Sequence, residues 1–141
     1  MIRQRIILPH YDDWEIYAYF AVSKYMTDEI MEKLWEIGCD GDTALQAYRN
    51  LASCELNTGL CYSNYRQRKS VMVVALTTSA AEFLNSLHHE LCHLTAHISK
   101  VFDLDPTGED IAYLSGEISR EMYPKIGHLL CEECRSASCS H

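Results

Sequence analysis

The chain has no long hydrophobic run. No window of its 141 residues approaches the apolar length that crosses a membrane, and the apolar run at residues 6–8 is too short for a secretory signal. Internal repeats and long low-complexity linkers are missing as well. A cytoplasmic protein with no membrane partner is therefore expected.

A basic excess is also lacking. The chain has 12 lysines and arginines against 20 aspartates and glutamates, a formal net charge of −8, which argues against nucleic acid as the main partner. The short basic segment 66–69 indicates a solvated turn. The length and the 48% hydrophobic content predict one globular domain over residues 1–130, followed by a cysteine-rich tail over residues 131–141.

The seven cysteines lack the context of a disulfide framework, because no secretory signal accompanies them, and reduced thiols are expected. The tail is a separate case. It contains a C-x-x-C pair followed by a further cysteine and a histidine, a set that predicts a second, structural zinc site or else a flexible tail. These four residues are Cys131, Cys134, Cys139 and His141.

What the chain does have is an H-E-x-x-H string, His89-Glu90-Leu91-Cys92-His93. Apolar residues recur through residues 80–99 at the spacing of a core-facing helix, and positions i and i+4 share one helix face. His89 and His93 are therefore predicted to bind one zinc ion. Glu90 is predicted to act as the general base that takes a proton from a zinc-bound water.

A catalytic zinc needs a third protein ligand. His97 lies about 12 Å beyond His89 along a straight helix, so it does not readily join the other two histidines on one ion. A third histidine six positions after the second is excluded, because Ser99 stands there. Glu109, at the start of the next predicted helix, is the favoured ligand. Its alternative is an exposed acid that the helix dipole favours.

The segment before this second helix is rich in turn-forming residues. Thr107 as the N-cap with Asp110 three residues later predicts a capping box, which leaves Glu109 free. Asp105 followed by Pro106 is an alternative helix start. The second helix is expected over residues 109–122.

The H-E-x-x-H motif, followed by Glu109-Asp-Ile-Ala112 in a second helix, resembles the gluzincin group of zinc metallopeptidases. The pattern is most similar to the small soluble ImmA/IrrE-like peptidases, and Met122-Tyr-Pro124 resembles the end of their second-helix motif. The resemblance covers residues 80–124 and departs from the family pattern at Cys92 and Tyr113. It implies His89, His93 and Glu109 as zinc ligands, Glu90 as the base and a zincin-like fold.

Upstream of the motif, residues 5–9 and 14–23 favour strands, although residues 12–15 can also start a helix. Residues 28–38 and 42–51 are predicted to be helices. Residues 59–65 and 70–77 are predicted to form a hairpin whose second arm is a buried strand that leads into the motif helix.

The predicted fold is therefore α+β, a small sheet packed on the motif helix and on the ligand-bearing helix that follows. By analogy with zincins, strand 59–65 is a candidate for the edge strand that pairs with an extended substrate. Tyr62 and Tyr65 on that strand are possible oxyanion donors, and ordinary strand aromatics are the alternative.

These observations predict a Zn²⁺-dependent peptidase that acts on an intracellular peptide or protein. Two other interpretations stay open. One is a non-catalytic module in which zinc orders a protein-binding fold. The other, which the resemblance to ImmA/IrrE-like peptidases implies, is a regulatory component that senses or processes a transcription factor. Glu90 favours the enzyme, because a structural zinc site needs no base. The sequence does not indicate an oligomeric state.

Overall fold

The computed structural model describes the backbone of residues 1–139 and the side chains of residues 1–136. Within this part of the chain the fold is α+β, with five α-helices and one mixed four-stranded sheet. The strands are β1 (Ile2–Leu8), β2 (Trp14–Val22), β3 (Gly59–Asn64) and β4 (Lys69–Ala75). The helices are α1 (Thr27–Glu36), α2 (Gly41–Ala52), α3 (Ala80–Phe102), α4 (Glu109–Ile126) and α5 (Glu132–Cys139).

The strand order in the sheet is β1-β2-β4-β3. Strands β1 and β2 form one antiparallel hairpin, and β3 and β4 form another. The hairpins meet where β2 and β4 pair in parallel, and the connection between them carries α1 and α2. Strands β1 and β3 are thus the two edges of the sheet. The predicted hairpin and the edge position of its first arm are confirmed.

Helices cover both faces of the sheet, because strand residues alternate between two cores. One core joins Ile16, Phe20 and Met72 of the sheet to the apolar stripes of α3 and α4. The other joins Tyr19 and Val73 to α1 and α2. Strand β4 contributes to both cores and is buried from residue 70 to residue 75, as its continuous apolar run predicts.

Helix α3 carries the H-E-x-x-H motif and begins at a well-defined cap. The hydroxyl of Ser79 accepts a hydrogen bond from the backbone N–H of Glu82 at 3.1 Å. The helix ends at Asp103, whose φ of 51° is left-handed. Its apolar stripe packs under β3 and β4, whereas α4 packs under β1. The helix predicted over residues 80–99 is confirmed and continues to Phe102.

The predicted N-cap of α4 is wrong. Thr107 does not cap the helix, because its hydroxyl and its backbone N–H both donate to the Asp105 carboxylate at 2.9 Å. Gly108 is the N-cap instead, and no side chain caps the helix. The capping box with Asp110 is therefore absent, and so is the alternative start at Pro106. Glu109 is the first helical residue.

Two further boundaries differ from the predictions. Residues 12–15 do not start a helix, since β2 begins at Trp14. Helix α4 runs past its predicted end and through Pro124 to Ile126, although a proline inside a helix removes one backbone hydrogen bond. Burial of Met122 and Ile126 in the core accounts for this continuation. Within residues 1–139, no helix is both long and apolar enough to cross a membrane.

Candidate metal and catalytic site

The motif residues lie in a cleft between α3 and the start of β3. The cleft has a volume of about 390 Å³. Its walls are His89, Glu90 and His93 on the helix and residues 56–61 at the start of the strand. The sheet topology accounts for this position, because α3 follows β4 and runs back beneath the hairpin that β4 forms with β3.

His89 and His93 lie on one exposed face of α3, as their i, i+4 spacing predicts. Their ring centroids are 5.0 Å apart, and the ring planes are inclined by 67°. In H-E-x-x-H proteins, two histidines at i and i+4 on one helix face supply two of the zinc ligands. The structure brings together these two predicted ligands.

Glu90 lines the same cleft but is buried, and only 2% of its surface is exposed. The hydroxyl of Thr58 donates a hydrogen bond to its Oε1 at 2.8 Å. Burial raises the pKa of the Glu90 carboxyl, while the Thr58 hydrogen bond and the charges of His89 and His93 oppose that rise. A carboxyl with a raised pKa beside a histidine pair has the character of a general base.

Gly59 permits this close approach of strand and helix. A Cβ atom at this position would lie 1.8 Å from the carbonyl oxygen of Val73 and 3.1 Å from Cγ of Glu90. Its φ of 153° is also a conformation that other residues rarely adopt. Glycine is therefore required for β3 to start against Glu90.

The structure does not bring Glu109 to the histidines. Among the described residues there is no group of three or more His, Cys, Asp or Glu that could hold a metal ion. Glu109 is exposed on the first turn of α4, beside Asp110. Burial raises the pKa of Tyr11 at the β1–β2 connection, and the charge of Asp110 adds to this rise, so the first turn of α4 lies near that connection. Helix α4 packs under β1, at the sheet edge opposite β3, and this packing accounts for the separation.

The two predicted oxyanion donors lie elsewhere. Tyr62 points to the opposite face of the sheet, where its hydroxyl donates to the carbonyl of Gly38 at 3.4 Å. The alternation of strand side chains accounts for this, since Cys61 and Ser63 are the residues of β3 that face α3. Tyr65 is exposed beyond the end of β3 and packs edge-on against His97, with ring centroids 5.8 Å apart.

The tail forms part of the described fold as far as Cys139. Helix α5 docks near the start of α3, where the Glu132 carboxylate accepts from the backbone N–H of Ala80 at 2.5 Å. Arg135 donates to the carbonyl of Thr77 at 2.8 Å.

The predicted tail zinc site is described only in part. Cys131 and Cys134 are hydrogen-bonded to each other through their side chains. The side chain of Cys139 and the whole of His141 lie outside the described residues.

Sequence reasoning missed Thr58, the residue that holds the Glu90 carboxylate. A threonine just before a strand gives no signal that it lies beside a helix residue 32 positions later. It also missed the hydrogen bond between His97 and Ser63, whose Oγ lies 2.7 Å from Nδ1 of the ring. The first contact joins the residue before β3 to α3 and the second joins β3 to α3, so both depend on tertiary packing.

A second groove lies on the other face of β3. It has a volume of about 500 Å³ and runs between β3 and α2. Its apolar lining includes Leu34, Ala47 and Leu60, and its polar lining includes Asp42 and Gln46. The unpaired edge of β3 is thus flanked by a groove on each side, and only one of them contains the histidines.

Comparison with known proteins gives no relative from which a role could be transferred. No protein-family model, curated protein or solved structure matches this chain. The assignment of function therefore rests on the chemistry of the cleft and of the strand beside it.

Proposed function

We propose that this protein is a zinc-dependent peptidase with a zincin-like site, in which His89 and His93 bind the metal and Glu90 is the general base. The observation that carries the proposal is the burial of Glu90. An ionisable carboxyl with 2% exposure and a raised pKa is costly for the fold, and it lies between two exposed histidines on the same helix. Such perturbed groups concentrate at functional sites.

The donor set fits zinc in part. Two imidazoles 5.0 Å apart between centroids supply two nitrogen ligands on one face, the number that the motif itself provides. Glu109 remains the predicted third ligand. Its carboxylate makes no hydrogen bond or ion pair with other described residues, but the first turn of α4 would have to move towards α3 before Glu109 joined the two histidines on one ion.

When bound, zinc would lower the pKa of a water molecule and polarise a peptide carbonyl. The chain's own part is to hold and move the proton. Thr58 donates a hydrogen bond to Oε1 of Glu90, which leaves Oε2 free to hold a proton. The raised pKa of Glu90 makes the protonated form accessible, so the same carboxyl can pass the proton to the leaving amine.

Strand β3 is the proposed substrate-binding edge. It pairs only with β4 among the described strands, so its outer edge can take an extended peptide through backbone hydrogen bonds. Alternate side chains of that peptide would point into the histidine cleft and into the groove beside α2. The proposed substrate is an intracellular peptide or protein, in keeping with cysteines that form no disulfide at positions 39, 54, 61, 92 and 131.

The second candidate is a non-catalytic module that binds a partner strand along β3. The observation that favours it is the lack of a three-residue metal cluster among the described residues. The open edge and the groove of about 500 Å³ would serve this function without chemistry.

Metal analysis and one substitution separate these candidates. Wild type and Glu90→Gln, both loaded with zinc, are given a diverse intracellular peptide mixture, with and without a chelator, and new termini are identified by mass spectrometry. Glu82→Gln, an exposed change on the same helix, is the matched control. A peptidase gives cleavages that the chelator and Glu90→Gln abolish and that Glu82→Gln retains, since loss of proton transfer commonly reduces rates about a hundred-fold or more.

Cleavage by Glu90→Gln at the wild-type rate would remove Glu90 from the mechanism. If no cleavage depends on Glu90 across a broad peptide set, the binding module becomes the better assignment. Retention of peptides by zinc-loaded Glu90→Gln without turnover would then identify the strands that β3 binds.

A further inference from the structure

Four buried or half-buried groups form a continuous hydrogen-bonded chain across the sheet to His97. The indole Nε1 of Trp14 lies 2.9 Å from Oγ of Ser70, which lies 2.6 Å from Oγ of Ser63. Oγ of Ser63 lies 2.7 Å from Nδ1 of His97. Trp14 and Ser70 are fully buried, and Ser63 is 8% exposed. The chain crosses β2, β4 and β3 and ends on α3, one turn beyond His93.

The chemistry of its first member sets the direction of this chain. An indole N–H only donates, so Ser70 accepts from Trp14. Among the described residues, the one acceptor that the Ser70 hydroxyl then has is Oγ of Ser63. The Ser63 hydroxyl accepts a hydrogen bond from Ser70 and donates one to Nδ1 of His97. The reverse direction would leave the buried hydroxyl of Ser70 without an acceptor, and buried polar groups are rarely left in that state.

We propose that this donor chain, starting at Trp14, holds His97 as the neutral tautomer with its proton on Nε2. Nδ1 faces β3 and accepts, so Nε2 carries the proton and points away from Ser63. Burial lowers the pKa of His97, and so do the charges of His93 and Lys100, which agrees with a neutral ring. The Cys61 thiol also lies near Nδ1, but at 3.9 Å it competes weakly with Ser63 at 2.7 Å.

This tautomer excludes His97 from the metal site. Histidine binds a metal through an unprotonated ring nitrogen, and the other nitrogen usually donates its proton to a neighbour. Ligation through Nε2 would require a proton on Nδ1 and hence reversal of the whole chain back to Ser70. His97 is therefore not the missing third ligand, although it is the next histidine on the helix.

His97 is instead a hydrogen-bond donor that stands beside β3. A neutral N–H of this kind suits an uncharged oxygen acceptor such as a peptide carbonyl. This use of the donor rests on the proposed function, whereas the tautomer does not. The tautomer can therefore be tested without substrate or turnover.

The test uses the full chain labelled with ¹⁵N in its histidines, at a pH well above the ordinary pKa of histidine. Long-range ¹H–¹⁵N correlation spectra distinguish the two neutral tautomers, because the protonated and unprotonated ring nitrogens resonate far apart. We expect His97 with Nε2 protonated in wild type. Ser63→Ala removes the donor to Nδ1 and should shift the ring to a mixture of tautomers. Ser86 is a buried serine of α3 that takes no part in these hydrogen bonds, so Ser86→Ala should not change the tautomer.

The metal arm uses Zn²⁺ alone. We expect zinc to leave the His97 tautomer unchanged, and His97→Ala to bind as many equivalents as wild type. A proton on Nδ1 of His97 in wild type, an unchanged tautomer in Ser63→Ala, or the loss of one zinc equivalent in His97→Ala would each overturn the proposal. If the tautomer is as expected but no peptide is cleaved, the peptidase assignment fails and the donor chain remains.

Discussion

Glu90→Gln should make the metal-free protein more stable at neutral pH. Glu90 is 2% exposed, and among the described residues only Thr58 donates a hydrogen bond to its carboxylate. Burial raises its pKa above the ordinary glutamate value of 4.5, so the ionised form is less favourable in the fold than in the unfolded chain. Each unit of such a shift corresponds to about 1.36 kcal/mol, so the gain in stability of Glu90→Gln has the sign of the shift and measures its size. Glutamine has the same size and still accepts from Thr58.

The sign of the pH dependence follows from linkage. A carboxyl whose pKa is raised on folding binds more protons in the folded state, so its contribution to stability decreases as pH rises through the raised pKa. Below the ordinary glutamate pKa the residue is protonated in both states and this penalty is absent. The advantage of Glu90→Gln should therefore appear as pH rises above the ordinary glutamate value of 4.5 and level off above the pKa of Glu90 in the folded protein.

The assay is urea unfolding of both proteins in the presence of a chelator, at a series of pH values. Glu32→Gln, an exposed carboxylate of α1 for which no change is expected, is the control. A constant loss of stability in Glu90→Gln at every pH would refute the reasoning, because it would mean that the new amide is unsatisfied and that the native carboxylate carries no burial penalty.

Three further predictions concern the surroundings of the cleft. Gly59→Ala should lower the free energy of unfolding, because backbone strain at a φ of 153° costs about 1–3 kcal/mol and the new Cβ would also lie 1.8 Å from a carbonyl oxygen. An unchanged urea midpoint would contradict this. Glu109→Ala should strongly reduce bound zinc measured by atomic absorption while Asp110→Ala retains it, and equal occupancy in wild type and Glu109→Ala would remove Glu109 from the site. Ala47→Trp fills the groove beside α2 and should raise KM for a cleaved peptide, whereas the exposed Leu45→Trp should not.

Most of the secondary structure could be predicted because its signals are local. The apolar stripe of α3 predicts a helix with one buried face, and the continuous apolar run of β4 predicts a buried strand. Both elements are confirmed. The cap of α4 was mispredicted because two patterns competed for Thr107. Its hydroxyl satisfies the Asp105 carboxylate two residues earlier, a turn contact that outweighs the capping box.

The metal site could be predicted only as far as one helix extends. His89 and His93 share a face because of their spacing, and no packing is needed to bring them together. The position of Glu109 depends on where α4 packs against the sheet. That place is set by the packing of Leu114 and Ile118 in the core under β1. A spacing of residues along the sequence carries no information about that crossing.

Three features around the cleft are not expected from local sequence preferences. Two of them, at Glu90 and Gly59, are unfavourable for stability, and the third is a hydrogen-bonded series that needs three strands and a helix in place. Glu90 is an ionisable group placed in the interior, Gly59 adopts a backbone conformation that other residues rarely take, and the chain from Trp14 to His97 orders four side chains from four elements. Departures from local rules that cluster at one place are typical of functional sites, because selection for folding alone would remove them. All three converge on the cleft or on the strand beside it, and this convergence supports the start of β3 and the facing turns of α3 as the place where the protein acts.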